Sequence, residues 1–250
     1  MSRTSHRVQL ARAYVLHQRP FRDSSLIVEV FARDYGRMTV FARAARGPRS
    51  RFAVLQPFRA LLLSWSGRGE APQLTGAENA DGPSALPAAH LMSAFYLNEL
   101  LLKLTTRHDP NADLFDAYQT ALLGLACGGA QEAPLRNFEL RLLQEVGYGV
   151  DLTQTVAGGP VTAQGYYHFR PADGLFTTTA EHSGALPGSS LLQLAAGQLQ
   201  SVRELADARK VLAAALEHCL EGRPIVTRAI ARACVGTALV PAPAAGTSKA

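Results

Sequence analysis

A dense cluster of arginines follows a predicted β-strand near the start of the chain. Residues 42–51 read ARAARGPRSR and contain Arg43, Arg46, Arg49 and Arg51, with no acidic residue among them. Guanidinium groups bind phosphate oxygens through a planar fork of hydrogen-bond donors. Cations packed this closely repel one another unless an anion lies between them. The cluster therefore predicts a surface for a polyanion.

The charge of the whole chain is divided unevenly. Residues 1–68 contain 13 basic and 3 acidic residues, whereas residues 69–250 contain 12 and 17. The formal net charge of +5 thus hides a strongly basic front part attached to a mildly acidic remainder. Such a division is typical of a chain in which one domain meets a polyanion and the other has a different task.

Aromatic residues are interleaved with these arginines, as in single-strand nucleic-acid sites where rings stack on bases. The aromatic residues are Tyr14, Phe21, Phe31, Tyr35, Phe41 and Phe52. Strand alternation favours a core position for them and sends Phe31 and Phe41 into the predicted barrel. We expect the arginines to face an anionic partner instead. The candidate nucleic-acid-binding residues are Arg19, Arg22, Arg37, Arg43, Arg46, Arg49 and Arg51.

Patterns typical of catalysis are absent from the sequence. It contains no Gly-rich phosphate loop, no Gly-x-Ser-x-Gly and no His-Glu-x-x-His. Asp109, Asp113 and Asp116 have the spacing of an N-cap and an exposed helix face. A lone histidine such as His168 is far more often structural than catalytic. We therefore expect no enzyme and no cofactor.

Cysteine content and hydropathy indicate the cellular compartment. Cys127, Cys219 and Cys234 lie far apart and are odd in number, which favours reduced thiols over disulfides. No apolar run reaches the length of about 18 residues that a membrane span needs. The sequence predicts a cytoplasmic protein without a membrane partner.

Two kinds of periodicity divide the chain and predict an α+β protein. Five short segments within residues 7–78 have strand character and favour a small antiparallel barrel of the OB type. Apolar residues then recur at helical spacing from residue 87 onward, interrupted by a Gly- and Thr-rich stretch. The predicted units are an OB-type barrel (1–80), a first part of a helical bundle (81–148), a small β-type insertion (149–188), a second part of the bundle (189–235) and a disordered tail (236–250).

Several short segments, taken in order, resemble the RecO family of bacterial recombination mediators. Each segment alone is weakly specific, but their order and spacing together are specific, and the resemblance runs from about Ala13 to Arg228. The segments are Ala13-Tyr14-Val15-Leu16, Arg22-Asp23-Ser24-Ser25-Leu26-Ile27-Val28, Asp34-Tyr35-Gly36-Arg37, Ala44-Ala45-Arg46-Gly47-Pro48-Arg49-Ser50, Tyr96-Leu97-Asn98-Glu99-Leu100, Leu135-Arg136-Asn137-Phe138-Glu139-Leu140-Arg141-Leu142-Leu143, Gly147-Tyr148 and Gly222-Arg223-Pro224.

The resemblance implies a DNA repair and recombination function. It implies an OB-fold, a helical bundle and a zinc-binding insertion. It further implies a nucleoid-associated protein that binds single- and double-stranded DNA and anneals complementary strands. The implied protein partners are the single-strand-binding protein and RecR, with which such proteins help to load RecA.

The insertion departs from the family pattern at the zinc ligands. Many relatives carry two Cys-x-x-Cys pairs, whereas this sequence has Thr155 and Gly158, then about Thr177 and Ala180. These residues supply no thiolate for a tetrahedral zinc site. His168 and His182 remain as donors, but two imidazoles do not close such a site. We expect a zinc-ribbon-like insertion without metal.

A helix predicted over residues 134–147 offers a candidate partner-binding site. In RecO-like proteins the helical domain receives the acidic, apolar C-terminal tail of the single-strand-binding protein. Such a tail needs apolar walls and a cation for its terminal carboxylate. Arg136 and Arg141 are the candidate cations. Arg136 lies near a helix N-terminus, where a positive charge is unfavourable because of the helix macrodipole, and this favours a functional role for it.

Two other functions stay open from the sequence alone. The chain has features of an OB-type RNA-binding protein, although such proteins seldom carry so long a helical bundle. It also fits a non-catalytic adaptor whose charge steers protein partners. Titrations with single-stranded DNA and RNA of equal length separate the first from a DNA-binding protein. Absence of salt-sensitive nucleic-acid binding would favour the second.

Overall fold

A computed structural model describes residues 7–47, 50–67, 69–82 and 85–237. Arg49 and residues 238–250 of the predicted tail lie outside these residues. Gly236 and Thr237, which were also assigned to the disordered tail, belong to the last helix instead. Within the described ranges, no helix has both the length and the apolar character that crossing a membrane requires.

The first part of the chain closes into a five-stranded barrel. Its strands are hydrogen-bonded in the order β1-β2-β3-β5-β4, all antiparallel except for the single contact that closes β3 against β5. This small, closed barrel confirms the predicted OB type and, with the helices that follow, the α+β class. The strands are β1 (Arg7–Phe21), β2 (Ser25–Ala32), β3 (Gly36–Ala42), β4 (Leu61–Ser66) and β5 (Gln73–Asn79).

Strand alternation sorts the barrel side chains between the interior and the outer face. On β2 the residues Val28, Val30 and Ala32 fill the barrel core, together with the alternate residues of β3. The residues between them point outward, so the prediction that Phe31 and Phe41 face the interior is wrong. Phe31 is buried outside the barrel among helical aromatics, whereas Phe41 stays half-buried on the outer face.

In the described residues six helices form the second part, and two of them begin with side-chain caps. The Asn111 side chain accepts a hydrogen bond from the Leu114 amide at the start of α2. Ser201 and Glu204 form a reciprocal capping box at the start of α5. The helices are α1 (Leu91–Leu104), α2 (Ala112–Ala126), α3 (Glu132–Glu145), α4 (Gly188–Ala195), α5 (Val202–Leu220) and α6 (Val226–Thr237), with a 3-10 turn at Ala88–His90.

The stretch between α3 and α4 contains a small three-stranded sheet. Its strands β6 (Tyr166–Arg170), β7 (Gly174–Thr178) and β8 (Leu186–Pro187) are antiparallel in the order β7-β6-β8. Buried side chains from this sheet, among them Tyr167 and Leu175, join the hydrophobic core of the helices. The sheet therefore shares a core with the bundle.

A buried asparagine connects the barrel to the bundle. β1 has a register shift between Val15 and His17, which frees backbone carbonyls at this position. The amide nitrogen of Asn98 on α1 donates to the Leu16 carbonyl at 2.9 Å. The Tyr118 hydroxyl donates to the amide oxygen of Asn98 at 2.5 Å. One side chain thus pairs polar groups from β1 and α2 inside an apolar interface.

Ion pairs reinforce the junction at the Gly36 end of β3. The Arg33 guanidinium contacts the Asp116 carboxylate at 2.8 Å, and Arg107 pairs with Glu29. At Gly36, with φ +68°, an added Cβ would lie 2.2 Å from the Asp109 carbonyl oxygen. Only glycine therefore permits the close approach of this turn to the segment before α2.

Replacing the buried junction asparagine should destabilise the whole fold. Asn98→Ala leaves the Leu16 carbonyl and the Tyr118 hydroxyl without partners, which should lower the free energy of unfolding by about 2–4 kcal/mol. Urea unfolding measures this loss. Asn79→Ala, at an exposed position on β5, is the control and should change stability by less than about 0.5 kcal/mol. Equal stability of the two variants would show that the junction does not depend on Asn98.

Candidate nucleic-acid interface

The β1–β2 turn and the loop after β3 meet at one end of the barrel. The Arg46 backbone amide donates to the Ser24 carbonyl at 3.0 Å. Its guanidinium lies 3.3 Å from the Arg22 carbonyl oxygen and 3.4 Å from that of Asp23. Two basic segments far apart in sequence are thus held together by hydrogen bonds to the backbone. We call this region, with Arg19, Arg22, Arg43, Arg46 and Arg51, the basic end.

The loop after β3 is anchored by apolar side chains between its arginines. Ala45, Phe52 and Leu55 are buried in the barrel core. The Ser50 hydroxyl donates to the Ala44 carbonyl at 3.1 Å and closes the loop on itself. Since the anchors point inward, the backbone beside Arg46 and Arg51 is attached to the barrel core.

The arginines of the basic end are exposed and lack acidic partners. Arg19, Arg22, Arg43, Arg46 and Arg51 are all exposed. Among the described residues, no carboxylate lies within ion-pair distance of any of them; the ion pairs of the barrel involve Arg33, Arg37 and Arg107 instead. The charges of these five guanidiniums are therefore not neutralised by any acid of the described residues, which favours an external anion.

Arg37 lies at the other end of the barrel. At about 3.3 Å per residue, the six-residue step along β3 from Arg37 to Arg43 spans about 20 Å. The Arg37 guanidinium donates to the Thr105 carbonyl at 2.7 Å and lies 3.6 Å from Glu29. Burial lowers the pKa of Arg37, and the nearby Glu29 carboxylate partly opposes this shift. Its contacts join the barrel to the bundle, so we do not include it in the basic end.

Two phenylalanine rings adjoin the basic end on the outer face of the barrel. Phe21 and Phe41 pack edge to face with ring centroids 5.4 Å apart. Phe21 is 37% exposed, and the Arg22 guanidinium carbon lies 5.3 Å from the centre of its ring. An exposed ring beside free guanidiniums has the components of a stacking site for nucleobases. Phe41 was expected to point inward, but Met38, Val40 and Ala42 are the β3 residues that fill the barrel, so Phe41 lies on the outer face.

A second cationic site lies in a cavity between α1, α3, α5 and α6. The cavity has a volume of about 370 Å³, and three arginines line it: Arg136, Arg209 and Arg228. Apolar walls come from Met92, Leu135 and neighbouring alanines. We call this site the anion pocket. Of these three arginines, the sequence analysis identified only Arg136, since Arg209 and Arg228 lie on helices distant in sequence.

Arg136 is held deep in the anion pocket by a buried acid. Its guanidinium contacts the Glu139 carboxylate at 2.9 Å, and Glu139 is fully buried. The Tyr96 hydroxyl also donates to Glu139, at 2.6 Å. Burial raises the pKa of Glu139, whereas the Arg136 charge opposes that shift. The Nε and Nη1 donors of Arg136 are buried without a protein partner in the described structure.

Arg141 does not converge on the same site. Five residues along a helix correspond to about 140° of rotation, which places Arg136 and Arg141 on different faces of α3. Arg141 contacts Asp113 at 2.7 Å and Glu145 at 2.8 Å. Its charge is thus already neutralised by two carboxylates, and we do not include it in the anion pocket.

The positions of the expected zinc ligands do not fit a metal. Thr155 directs its hydroxyl to the Gly159 carbonyl, and the Gly158 amide donates to the Thr155 carbonyl, so hydrogen bonds close this turn. The His168 and His182 rings lie close, with centroids 4.7 Å apart. Within the described ranges, however, no third His, Cys, Asp or Glu joins them to form a metal-binding group. We derive no metal chemistry from the insertion.

Comparison with known proteins agrees with this architecture. The family model described as Recombination protein O N terminal matches residues 7–82, and the one described as Recombination protein O C terminal matches residues 89–229. The chain belongs to the RecO family. Its role is therefore in DNA repair and recombination, and the matched regions correspond to the barrel and to the helices with their inserted sheet.

Similar RecO proteins cover almost the whole chain. The DNA repair protein RecO of Azoarcus sp. (strain BH72) is 40% identical over 231 residues, covering 90% of this chain and 95% of the relative. That of Alkalilimnicola ehrlichii is 40% identical over 242 residues, covering 95% and 96%. That of Ralstonia nicotianae is 39% identical over 233 residues, covering 92% and 86%.

This RecO-family protein should fold without stoichiometric zinc. The expected thiolates are replaced by Thr155, Gly158, Thr177 and Ala180, and hydrogen bonds close the first turn instead. Elemental analysis after purification in zinc-supplemented buffer should find well below one zinc per chain. A stoichiometric, chelator-resistant zinc that disappears in the His168→Ala variant would show that imidazoles rebuild the site.

Proposed function

We propose that the protein is a non-enzymatic recombination mediator that binds DNA at the basic end. The observation that carries this proposal is the set of five exposed guanidiniums without acidic partners, presented on an anchored loop and a strand turn. Phosphate contacts supply most of the affinity of proteins that bind DNA without sequence preference. The Phe21 and Phe41 pair adds a stacking surface for bases of a single strand.

Annealing follows from the same chemistry. Two complementary strands repel each other through their phosphates, and a cationic surface that neutralises one strand lowers this barrier to pairing. Exposed arginines can also bind the phosphates of a duplex, since phosphate contacts carry no sequence information. The proposed activity therefore includes binding of single- and double-stranded DNA and annealing without ATP, at the nucleoid in the cytoplasm.

We further propose that the anion pocket receives the C-terminal tail of the single-strand-binding protein. An acidic, apolar tail ends in a carboxylate, which matches the free donors of Arg136 and the adjacent guanidiniums of Arg209 and Arg228. The apolar walls suit its last side chain. With the tail held by the bundle and DNA by the barrel, the protein would act with RecR where RecA replaces the single-strand-binding protein.

Removing the loop arginines should reduce the salt dependence of DNA binding. Each phosphate contact to a single strand contributes about −0.7 to the slope of log K against log salt. If three of the four changes Arg43→Ala, Arg46→Ala, Arg49→Ala and Arg51→Ala remove contacts, the slope should flatten by about 2. Fluorescence anisotropy over a salt series measures the slope, and the same variant should anneal complementary strands more slowly.

A variant with the same change in charge controls for the net charge of the protein. It replaces four cations outside the barrel, namely Arg141, Arg170, Arg203 and Lys210. Its salt slope should stay close to that of the unaltered protein. An unchanged slope and affinity in the loop variant would place the DNA path elsewhere, and tighter binding of RNA than of DNA would favour an RNA-binding function.

Removing a guanidinium from the anion pocket should weaken tail binding. Arg209→Ala should cost about 1–3 kcal/mol of binding free energy for a peptide with an acidic stretch and a free apolar C-terminus. Isothermal titration calorimetry measures the loss, while the affinity for naked DNA should stay unchanged. The control is Lys210→Ala, because Lys210 is exposed and pairs with Asp207 instead of lining the pocket.

A test of Arg136 requires that its ion-pair partner Glu139 is changed as well. Arg136→Ala alone would leave the buried Glu139 carboxylate without its nearest cation, at a cost of about 3–5 kcal/mol of stability. The double change Arg136→Gln with Glu139→Gln removes both charges and keeps a polar side chain at each position. Unimpaired peptide binding by this variant and by Arg209→Ala would place the carboxylate site outside the anion pocket.

A further inference from the structure

The C-terminal helix α6 is attached to α1 through one carboxylate. The Val226 and Thr227 amides donate to the two oxygens of Glu99 at 2.7 and 2.8 Å, and the Thr227 hydroxyl donates to the second oxygen at 2.7 Å. Although partial burial raises it, hydrogen bonds from Thr227 and Val226 hold the pKa of Glu99 below its ordinary value. Glu99 thus satisfies the first amides of α6 in place of a local N-cap.

The segment before α6 is held at the same place. Lys103 lies one turn after Glu99 on α1, contacts its carboxylate at 3.2 Å and donates to the Pro224 carbonyl. The Arg223 guanidinium donates to the Lys103 carbonyl at 3.2 Å. All of these polar contacts involve Glu99 or Lys103 on α1.

Polar contacts help to hold the first turn of α6. Val226 is 53% exposed and Ile230 is 46% exposed, so these two apolar side chains bury little surface. A helix of 12 residues is too short to be stable in water by itself. Contacts with the rest of the protein therefore keep α6 in position, and those of Glu99 are among them.

α6 also supplies one wall of the anion pocket. Thr227, Arg228 and Ala231 line the cavity, opposite residues from α3 and α5. The Arg228 guanidinium donates to the Tyr96 hydroxyl at 2.7 Å and lies 3.8 Å from the Glu139 carboxylate. Arg228 can face an anion held by Arg136 only while α6 stays docked on α1.

We propose that Glu99 is a positioning residue of the anion pocket, which couples the docking of α6 to the binding of a peptide carboxylate. Glu99 does not line the cavity, and it acts by holding the helix that carries Thr227 and Arg228. The proposal rests on the tail binding proposed above. Because coupling between two equilibria is reciprocal, a bound peptide must hold α6 in place as strongly as docked α6 improves peptide binding.

The test uses the full chain and a synthetic peptide with an acidic stretch and a free apolar C-terminus. Glu99→Ala should weaken peptide binding by about tenfold, a typical coupling between sites. Glu99→Gln keeps an acceptor oxygen and should restore part of the affinity. Asp113→Ala, which removes an exposed carboxylate bound to Arg141, is the control and should bind normally.

Hydrogen exchange provides a measurement that a purely structural role would not change. In the unaltered protein the peptide should slow amide exchange across residues 226–237, and the same peptide with an amidated C-terminus should not. In Glu99→Ala this protection should be smaller. Urea unfolding of Glu99→Gln, the milder change, verifies that the barrel and bundle stay folded.

The outcomes separate this proposal from tail binding itself. If the peptide binds the unaltered protein and Glu99→Ala binds it equally well, the coupling is wrong and the pocket still receives the tail. Binding without protection of residues 226–237 would also overturn the coupling. If the peptide does not bind the unaltered protein, both the tail binding and the coupling are wrong.

Discussion

The arrangement of the whole molecule depends on how the Asn98 side chain joins the barrel to the bundle. The Leu16 carbonyl lies at the irregularity in β1, and burying it without a hydrogen-bond donor would be costly. Asn98 pairs with it and also accepts the Tyr118 hydroxyl. The helices are thereby held against one part of the outer face, where they cover Phe31. The part that carries Phe21 and Phe41 stays open, and this division decides where nucleic acid can approach.

The arginines of the chain fall into groups that differ in their partners. Those at the junction, such as Arg33 and Arg37, are paired with acids or carbonyl groups and hold the domains together. Those of the basic end have no acidic partner in the described structure. Arg136 is intermediate, since it is paired with Glu139 but keeps two buried donors free. The same type of side chain thus holds the domains together in one place and, in the function proposed, binds a partner in another, and burial and pairing distinguish the two groups.

Much of the architecture and part of the candidate site could be predicted from periodicity and clustering. The strands, the helices and the basic loop depend on local patterns, and the OB-type barrel is confirmed. Arg37 could not be separated from the other arginines, because its distance from them depends on the length and direction of β3. Arg209 and Arg228 were missed, since the anion pocket forms only when α3, α5 and α6 pack together. Arg141 was grouped with Arg136 by sequence proximity, although the helical rotation separates them.

The sequence by itself determined which elements form and where positive charge concentrates, because strand alternation, helical spacing and charge density act over short stretches of chain. It also determined that the insertion lacks the thiolates of a zinc site. Only the tertiary structure decided which outward residues stay exposed, which arginines are neutralised and which cations share a cavity. These properties depend on contacts between elements distant in sequence. Phe31 and Phe41 illustrate the difference: both lie on the outer face of the barrel, and only the packing of the helices buries one and leaves the other accessible.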